Sequence, residues 1–512
     1  MTPPRFTTAP TLTAVLAAQA EQHPDRPFVR FIRRGEQTAA LTYAQTWELA
    51  ARWATLLRER GLQPGDPVLL ALPNSPDFLG GFYGALLAGG IPAPLSPLHR
   101  AAAADPGVRL LAARARSLRA AAVLLPPEMA GVAALFPCPV LTRDDLPQSP
   151  GPIAPSLDPE AIALIQYTSG TTSAGGSGKA VQLSHRALLW QTRAISDALQ
   201  LVDRDEDSGV SWLPLSHDMG LIGFLLTPSI HAGTVTLLPT EEFILRPASW
   251  LRALSDTGAS ITGGPPSAYA LAALRVKEAE AATYDLSRVR IALVGAETIS
   301  PAALGAFADK FRPSGFRPAA LLPTYGLAEN GLAVTLPPLG RGPRFDTDSA
   351  RAHAVLGPPL PGIEVRIVDE TGAPLRRPPL PERAIGEIIV RSPSLMTGYR
   401  DRPDLTAATV RDGWLWTGDL GYLSDGELRV TGRKKELLIV GGRNFAPEDL
   451  EAAAAGVPGV RAGKVAAVAR FDEHLSTDEA VLLAECGLSD PAERAAFRYS
   501  LRLAVAAAGV PL

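Results

Sequence analysis

Short apolar runs alternate with amphipathic segments from the N-terminus to about residue 330, and this alternation constrains the fold more than any other feature of the sequence. The runs at residues 68–72 and 289–294 have the length of buried β-strands, whereas residues 11–22 and 78–89 have the apolar spacing of α-helices. Strands that alternate with helices are typical of parallel α/β folds. The sequence therefore predicts an α/β protein with parallel-type sheets in a large N-terminal domain.

Glycine or polar residues follow several of these predicted strands. Residues 263–264 and 295–297 each come directly after an apolar run and contain glycine, and the strand at residues 321–324 leads into a polar turn. In open α/β sheets, the carboxyl ends of the strands form the crevice in which ligands bind. We therefore expect a ligand site where these strand ends meet.

Residues 164–179 contain the most distinctive of these strand ends. The apolar run at residues 161–165 stops at a segment of glycines and hydroxyl residues, and a helix is expected to begin at Ser184. Glycines let the backbone turn its N–H groups toward an anion, hydroxyl groups add donors, and Lys179 adds a positive charge. This composition is typical of a loop that binds polyphosphate. The glycines are Gly170, Gly175, Gly176 and Gly178, and the hydroxyl residues are Thr168, Ser169, Thr171, Thr172 and Ser173.

The composition of residues 164–179 also allows two other interpretations, a linker and a different phosphate-binding motif. The segment can be a flexible surface linker, because linkers are also rich in glycine and serine. It can also be a Walker-type P-loop, since Gly178-Lys179 resembles the end of that motif. The motif requires another glycine with four residues between it and Gly178, and Ser or Thr after the lysine. Ser173 and Ala180 occupy those positions, so the Walker interpretation fails.

The charge balance and the cysteine content narrow the functional class. The 512-residue chain has 49 basic and 52 acidic residues, so no basic excess favours nucleic acid or an anionic membrane as a partner. Cys138 and Cys486 are too few for a disulfide framework or a thiolate metal site, which fits a reducing compartment. The N-terminus lacks the apolar core of a signal peptide, and no apolar stretch is long enough to span a membrane. We expect a cytoplasmic enzyme without a membrane span.

The pattern of predicted elements changes near residue 355, where short alternating strands indicate a β-rich subdomain. A charged segment, residues 432–436, then precedes a final stretch with its own strand and helix signals. A chain of this length is too long for one hydrophobic core. We therefore expect an N-terminal domain over residues 1–431, with its β-rich subdomain at about 355–431, and a small mobile α+β domain over residues 432–512.

Five motifs occur in the order found in the adenylate-forming acyl ligases. They are Thr168-Ser-Gly-Thr-Thr, Lys179, Tyr325-Gly-Leu-Ala-Glu329, Thr417-Gly-Asp419 and Gly432-Arg433-Lys-Lys435. Each motif alone is weak evidence, but the five in order resemble this family over nearly the whole chain, from residue 42 to residue 451. The resemblance implies that the chain uses ATP to convert a carboxylic acid into an acyl-adenylate, with release of pyrophosphate. The acyl group would then pass to a thiol.

The resemblance also implies roles for individual residues. The hydroxyl loop and Lys179 would hold the β- and γ-phosphates of ATP, and Glu329 would ligate Mg²⁺. Tyr325 would stack on adenine, Asp419 would accept both ribose hydroxyls, and the hinge of the small domain would lie at Lys435. The implied nucleotide-binding residues are Thr168, Ser169, Gly170, Thr171, Gly295, Ala296, Glu297, Thr324, Tyr325, Gly326, Asp419 and Arg433. The implied catalytic residues are Thr172, Lys179, His217, Glu329 and Lys435.

Ordinary structural roles remain open for several of these residues. Asp419 and Arg433 can form a surface salt bridge, and Glu329 can be a carboxylate at the start of a helix. His217 can be a core histidine after a strand, and Lys435 can be a solvated lysine in a run of charges. The sequence alone does not separate these roles from the catalytic ones.

Three further segments resemble one branch of the family, the fatty acyl-AMP ligases. They are residues 212–223, 263–269 and 442–451, the last with Arg443. Enzymes of this branch pass the acyl group to the phosphopantetheine arm of an acyl carrier protein rather than to free coenzyme A, and feed polyketide or peptide assembly lines. The resemblance implies a fatty acid substrate, with His217 bordering the acyl and thiol side. The implied acyl-pocket residues are Ile222, Phe224, Gly264 and Tyr269.

Two alternatives to the fatty acyl-AMP ligase remain open. The first is a medium- or long-chain acyl-CoA ligase, which carries out the same adenylation but uses coenzyme A as the acceptor. The second is a catalytically degenerate module that binds a nucleotide or an acyl chain.

The sequence departs from the family pattern in three places. The phosphate loop is longer before Lys179, and the connection between Val334 and Gly357 is short, where fatty acyl-AMP ligases carry an insertion. The family's final Pro-Lys-x-x-x-Gly-Lys segment, whose lysine bridges the acyl carboxylate and the α-phosphate, would follow Leu512. We therefore expect an incomplete small domain here, and adenylation that is slower by about 10²–10³ unless residues beyond Leu512 supply that lysine.

Overall fold

The computed structural model describes residues 8–98, 101–102, 105–168, 179–201, 207–347, 352–369, 380–434, 438–440, 443–445, 447–488 and 490–507. The helices are α1 (Leu12–Gln22), α2 (Tyr43–Glu59), α3 (Pro76–Ala88), α4 (Pro106–Leu118), α5 (His185–Ala198), α6 (Thr227–Ser229), α7 (Thr240–Leu245), α8 (Ala248–Thr257), α9 (Pro266–Arg275), α10 (Glu278–Ala281), α11 (Pro301–Phe311), α12 (Pro403–Thr409), α13 (Pro447–Ala455) and α14 (Pro491–Ala507). A π-helical segment, Met219–Leu226, leads into α6.

The strands up to the middle of the chain are β1 (Pro27–Arg33), β2 (Glu36–Thr42), β3 (Pro67–Leu70), β4 (Ile91–Pro94), β5 (Ala122–Leu124), β6 (Val140–Leu141), β7 (Ile162–Tyr167), β8 (Ala180–Ser184), β9 (Ser208–Ser211), β10 (Thr234–Leu237), β11 (Ile261–Gly264), β12 (Ile291–Val294) and β13 (Leu321–Pro323). The later strands are β14 (Tyr325–Gly326), β15 (Ala333–Thr335), β16 (Phe345–Asp346), β17 (His353–Ala354), β18 (Glu364–Val368), β19 (Gly386–Arg391), β20 (Gly398–Tyr399), β21 (Val410–Arg411), β22 (Trp414–Ser424), β23 (Glu427–Arg433), β24 (Leu438–Val440), β25 (Arg443–Phe445), β26 (Val460–Asp472) and β27 (Thr477–Cys486).

A seven-stranded sheet forms the centre of the fold, in the order β13-β12-β11-β9-β10-β1-β2. Its strands pair in parallel except for the β1–β2 hairpin. A second sheet, in the order β4-β3-β5-β6, is entirely parallel. The predicted α/β class with parallel sheets is therefore confirmed.

Local side-chain chemistry sets several helix boundaries. Thr11 and Ser184 each accept a hydrogen bond from the backbone N–H of the third residue of the helix that follows, which satisfies a donor that has no partner inside the helix. The predicted helix start at Ser184 is confirmed. Gly89 ends α3 with a φ of 91°, a left-handed conformation that glycine adopts without steric cost.

The segment predicted to bind polyphosphate, residues 169–178, stands between two antiparallel strands, β7 and β8. The expected order was strand, loop and helix. Strand β8 lies between Lys179 and α5 and pairs with β7 through Tyr167↔Ala180. The N–H of Thr168 donates to the carbonyl oxygen of Lys179 at 3.2 Å, so the two ends of the loop are held together. Residues 180–184 were not predicted as a strand, because five residues beside a glycine-rich loop give too short an alternating pattern.

The β-rich region after residue 355 is an antiparallel sheet in the order β18-β19-β22-β21, with β23 paired to β22. The hairpins β24–β25 and β26–β27 follow it. The tip of β26–β27 contacts the segment before α11, where Ser300 Oγ donates to the carbonyl oxygen of Glu473 at 2.6 Å and Ser476 Oγ donates to that of Thr298 at 2.9 Å. The domain boundary at residue 432 stays a prediction. None of the described helices is long and apolar enough to cross a membrane.

Two buried histidines make the stability of the fold depend on pH. Burial lowers the pKa of His185 and of His231 to about 4 in each case. His185 Nδ1 accepts a hydrogen bond from the backbone N–H of Leu12 at 3.1 Å, so the neutral ring is the form that the fold requires. In the unfolded chain each ring binds a proton near pH 6.5. Stability is therefore expected to fall as the pH decreases from about 6.5 to about 4, by up to about 3 kcal/mol per histidine.

Urea unfolding at neutral pH and at about pH 5 measures this effect. In His185→Asn the amide oxygen can replace Nδ1 as the acceptor without titrating, so this variant should lose less stability between the two pH values than the unsubstituted chain. An equal loss in both proteins would contradict a contribution from His185.

Candidate active site

The carboxyl ends of β9, β11, β12 and β13 lie along one edge of the central sheet, because these strands pair in parallel. Ala296 follows β12, and Thr324 and Tyr325 follow β13. A turn after β9 carries His217. All four residues line one cavity of about 250 Å³. The expectation of a ligand crevice at these strand ends therefore agrees with the geometry of the described residues.

The segments after β12 and β13 approach each other closely. A Cβ atom on Gly295 would lie 2.8 Å from Thr324 Oγ1 and 3.2 Å from the Thr324 carbonyl oxygen. Ala296 has a φ of 73°, which is uncommon for a residue other than glycine. A Cβ atom on Gly326 would lie 2.0 Å from the carbonyl oxygen of Leu332, so only glycine fits there. These contacts hold Tyr325 at the mouth of the cavity.

Asp419, which is buried, lies at the centre of a polar group at this mouth, in which the Arg433 side chain is partly exposed. Tyr325 Oη donates to Asp419 Oδ2 at 2.7 Å, and Arg433 Nε donates to Asp419 Oδ1 at 2.7 Å. Asp419 and Arg433 face each other in the β22–β23 register. Burial, and then the Asp419 charge, raise the pKa of Tyr325 well above 10, so the phenol keeps its proton and donates it. Each carboxylate oxygen can accept a second hydrogen bond, which suits a diol such as ribose.

Glu329, Tyr399 and Lys179 form a second polar group on the wall of the cavity. Tyr399 Oη donates to Glu329 Oε1 at 2.7 Å, and Lys179 Nζ lies 5.3 Å from the centre of the Tyr399 ring. Burial, and then the Glu329 charge, raise the pKa of Tyr399. A carboxylate beside a lysine can serve a metal–phosphate complex, in which the carboxylate holds the cation and the ammonium group faces the anion.

Glu329 fits Mg²⁺ as a single carboxylate ligand. Among the described residues, no group of three or more His, Cys, Asp or Glu side chains could hold a metal ion. Mg²⁺ does not need such a cage, because it commonly takes one or two carboxylates and completes its shell with water and substrate phosphates. The donor set therefore agrees with a metal that arrives with a nucleotide.

His217 lies beside the cavity and is held by Asp218. His217 Nδ1 donates to Asp218 Oδ1 at 2.8 Å, which leaves Nε2 on the far side of the ring. Burial opposes the charged ring, but Asp218 overcomes this effect and raises the pKa of His217 above its usual value. The arrangement fixes the orientation of the imidazole on the cavity wall.

Gln166, at the carboxyl end of β7, fixes the turn that carries His217. Its Nε2 donates to the Ser216 carbonyl oxygen at 2.7 Å, so its Oε1 is the free acceptor of the amide. The side chain is buried and lines the cavity, and its Oε1 has no hydrogen-bond partner among the residues that the structure describes. A buried acceptor without a partner is costly, and a ligand with a donor group would satisfy it.

Apolar side chains line the rest of the cavity, which extends along the sheet. Ile261 is the first residue of β11, whereas Gly264 ends that strand at the polar edge. The apolar lining therefore reaches from the polar edge of the sheet to the amino end of β11. The apolar lining residues are Ile195, Leu199, Leu201, Met219, Phe224, Ile261, Leu293, Leu332, Ala333 and Leu336.

The structure separates the four residues expected in the acyl pocket. Phe224 lines the cavity, but Ile222 and Tyr269 are buried in the core, and Gly264 packs on Trp212 with no part in the lining. The π-helical segment presents Met219, Gly223 and Phe224 to the cavity, so Ile222 faces the other way. Tyr269 Oη donates to the Leu293 carbonyl oxygen at 2.8 Å within an aromatic cluster. Of the four residues, Phe224 alone lines this cavity, and the assignment of an acyl pocket stays a prediction.

The remaining expected residues fall into two groups. Thr168, Lys179, Glu329, Thr324, Tyr325, Gly326, Ala296, Asp419, Arg433 and His217 line the one cavity. Glu297 accepts hydrogen bonds from Ser267 N and Oγ and faces an adjoining cavity beside β26. Gly295 acts through close packing. Ser169, Gly170, Thr171, Thr172 and Lys435 lie outside the described residues.

Sequence reasoning missed Tyr399, Gln166 and Thr417. Tyr399 and Gln166 lie outside the segments that resemble family motifs. Thr417 opens the Thr-Gly-Asp motif but was assigned no role. Thr417 Oγ1 accepts from the Asp419 N–H at 3.0 Å and so orients that carboxylate. For Gln166, the available signal was a polar residue directly after the apolar run at residues 161–165.

Comparison with known proteins agrees with this geometry. The sequence pattern of the AMP-binding enzymes matches residues 16–400. A putative acyl-CoA synthetase of Caulobacter vibrioides is 36% identical, over 97% of this chain and 89% of that protein. A long-chain-fatty-acid–AMP ligase of Mycolicibacterium smegmatis is 32% identical, over 90% of this chain and 80% of that protein. A fatty acyl-adenylate ligase of L. pneumophila, solved with acyl adenylate and pyrophosphate, superposes with a TM-score of 0.81 at 28% identity, over 98% of this chain and 91% of that one.

Proposed function

Because this chain belongs to the AMP-binding enzyme family, we propose that it activates a fatty acid as an acyl-adenylate and passes the acyl group to the phosphopantetheine thiol of a carrier protein. The chain is an adenylate-forming acyl ligase, close to the fatty acyl-AMP ligases, and it uses ATP with Mg²⁺. The proposal adds three points: which residues carry out the reaction, that the acid is a fatty acid, and that the acceptor is the thiol of a carrier protein.

One observation carries the proposal. A single cavity joins the polar group of Tyr325, Asp419 and Arg433 to an apolar channel, whose lining side chains reach to Ile261 at the amino end of β11. The polar end matches a nucleoside, because it offers an aromatic ring and a carboxylate with spare acceptor capacity. The apolar end matches an acyl chain. His217, Lys179 and Glu329 line the same cavity, and we take them as the junction between the two ends.

The reaction depends mainly on positioning the carboxylate and the α-phosphate and on stabilising the negative charge that develops. A carboxylic acid is already ionised at neutral pH, so no general base is needed to create the nucleophile. The carboxylate must approach an α-phosphate that is also anionic, and negative charge develops on the departing pyrophosphate. Fixed donors and cations lower this barrier because they need no rearrangement during the reaction.

The described residues divide this task. The apolar channel would hold the acyl chain so that its carboxylate points to the junction. Asp419 and Tyr325 would hold the nucleoside, and Lys179 would face the phosphates. When bound at Glu329, Mg²⁺ supplies positive charge to the phosphate oxygens. His217, oriented by Asp218, would border the path of the thiol.

Two relatives favour different acceptors. The likeness to a fatty acyl-adenylate ligase supports transfer to a carrier protein, which we take as the leading proposal. The relative described as a putative acyl-CoA synthetase supports coenzyme A as the second candidate. The two share the adenylation step and differ only in the thiol.

An acceptor chase separates these candidates. The chain is first given ATP, Mg²⁺ and a fatty acid, and pyrophosphate release is measured. Coenzyme A or a carrier protein with its phosphopantetheine arm is then added, with the same carrier lacking the arm as the control. We expect the acyl group on the armed carrier only. Rapid formation of acyl-CoA would favour the second candidate, and absence of any adenylate would contradict both.

A further inference from the structure

Three polar residues directly precede three neighbouring strands of the central sheet. Asp207 precedes β9, Ser260 precedes β11 and Arg290 precedes β12. Because these strands are parallel, the three residues share the amino edge, opposite to the polar end of the cavity. The cavity reaches this edge at Ile261.

The three residues form a compact buried network. Arg290 Nε donates to both carboxylate oxygens of Asp207 at 3.0 Å, and its Nη2 is a further donor to Asp207. Ser260 Oγ donates to Asp207 Oδ1 at 2.5 Å. The Arg290 and Asp207 side chains are 14% and 6% exposed, so solvent screens this ion pair weakly. A planar guanidinium paired in this way has a fixed direction.

The remaining donors of Arg290 contact the turn after α5. Nη1 donates to the Leu199 carbonyl oxygen at 3.1 Å, and Nη2 donates to that of Gln200 at 3.4 Å. Gln200 has a φ of 52°, a left-handed conformation that is unusual for glutamine and needs support from its surroundings. The side chains on either side of it, Leu199 and Leu201, both line the apolar part of the cavity.

We propose that the Arg290–Asp207 pair sets the depth of the acyl channel by holding the turn that carries Leu199 and Leu201, and thereby limits the length of the acid that the enzyme accepts. Arg290 is a positioning residue, because it touches the wall and not the substrate. The inference rests on the proposed function, since it takes the apolar channel as the acyl site. It adds a determinant of chain length that lies outside the channel itself.

Arg290→Lys tests the inference while keeping the positive charge at this position. Lysine can keep the ion pair with Asp207, but it has no planar fork to reach the two carbonyl oxygens at the same time. The rate of pyrophosphate release is measured for a series of saturated straight-chain acids from short to long. We expect the preference for the best acid over the next longer acids to decrease by about tenfold, because a single methylene in a fitted pocket is worth about that much. The change should appear in the KM for the acid, with kcat for the best acid and KM for ATP little altered.

Two further variants make the outcome decisive. Arg429→Lys is the matched control, because Arg429 is a buried arginine that donates to the carbonyl oxygens of Ser424 and Glu427 and pairs with Asp346, away from the cavity. Leu201→Ala alters the channel wall directly and should shift the preference toward longer acids. Arg429→Lys is expected to affect all acids equally. If Leu201→Ala shifts the chain-length preference and Arg290→Lys also lowers activity on all acids equally, the proposed role of Arg290 is overturned.

Failure of the proposed function gives a different result. If the unsubstituted chain activates no carboxylic acid, or if Leu201→Ala leaves the chain-length profile unchanged, the apolar channel is not the acyl site, and the inference falls with it. Thermal unfolding of each variant shows whether lost activity reflects lost folding. A profile shifted in both Arg290→Lys and Leu201→Ala, and unshifted in Arg429→Lys, supports the inference.

Discussion

Replacing Glu329 with glutamine is expected to lower the rate of adenylate formation by about 10²–10³, the cost of removing one well-placed electrostatic contact at a reacting centre. The substitution keeps the shape of the side chain and removes the charge that would hold Mg²⁺. Tyr399 Oη can still donate to the amide oxygen, so the local packing should survive. The measurement is pyrophosphate release at saturating acid over a range of Mg²⁺ concentrations. The Mg²⁺ concentration that gives the half-maximal rate should be higher in Glu329→Gln than in the unsubstituted chain.

Tyr399→Phe is the matched control for Glu329. It removes the hydroxyl donor to Glu329 but keeps the carboxylate, so a loss of about tenfold is expected, the value of a hydrogen bond to a charged group. The midpoint of the Mg²⁺ titration should change less than in Glu329→Gln. An unchanged rate and an unchanged midpoint in Glu329→Gln would contradict the role of Glu329 as a metal ligand.

Replacing Asp419 with asparagine should weaken the use of ATP by about 10² or more in kcat/KM, because truncating one partner of a buried charge pair costs about 2–5 kcal/mol. The carboxylate accepts from both Tyr325 and Arg433, so the variant loses an acceptor for the ribose and leaves the arginine charge without its partner. An ATP titration at saturating acid measures the effect. The unfolding transition has to be compared as well, since Asp419 is only 4% exposed.

Tyr325→Phe separates binding from packing in the same group. It removes one hydrogen bond to Asp419 and keeps both the aromatic ring and the Asp419–Arg433 pair, so the loss in kcat/KM for ATP should be several times smaller than in Asp419→Asn. If the KM for ATP were unchanged in Asp419→Asn, the carboxylate would be part of a structural ion pair alone.

The fold class could be predicted because it depends on local patterns. Apolar runs of strand length, helical spacing and hydroxyl residues such as Ser184 at helix starts are all legible in short windows of sequence. Strand β8 was missed because its five residues follow a glycine-rich segment, and pairing with β7 and β20 stabilises it as a strand. Such strand pairing is a long-range property, since Gly398 lies opposite Gln182.

The candidate site was predicted in part. Tyr325, Glu329 and Asp419, which we propose face the nucleotide, lie in motifs, so the resemblance pointed to them from the sequence alone, and the structure places all three on one cavity. The apolar lining of the cavity was harder to predict, because a one-residue change of phase along Met219–Leu226 decides which side chain reaches the cavity. Ile222 was expected there, whereas Gly223 and Phe224 line it. The unusual π-helical spacing of this segment has no clear local signal.

The sequence by itself determined the class of fold and the kind of chemistry, because strand and helix patterns and the motif residues are each contained in a few consecutive positions. The tertiary structure decided how these parts meet. It brought Tyr325 within 2.7 Å of Asp419, 94 positions away, and Arg290 within 3.1 Å of the Leu199 carbonyl oxygen, 91 positions away. Such contacts depend on the order and direction of strands in the central sheet. That order places the Tyr325–Asp419 pair at the carboxyl edge of the sheet and the Arg290–Asp207 pair at the amino edge.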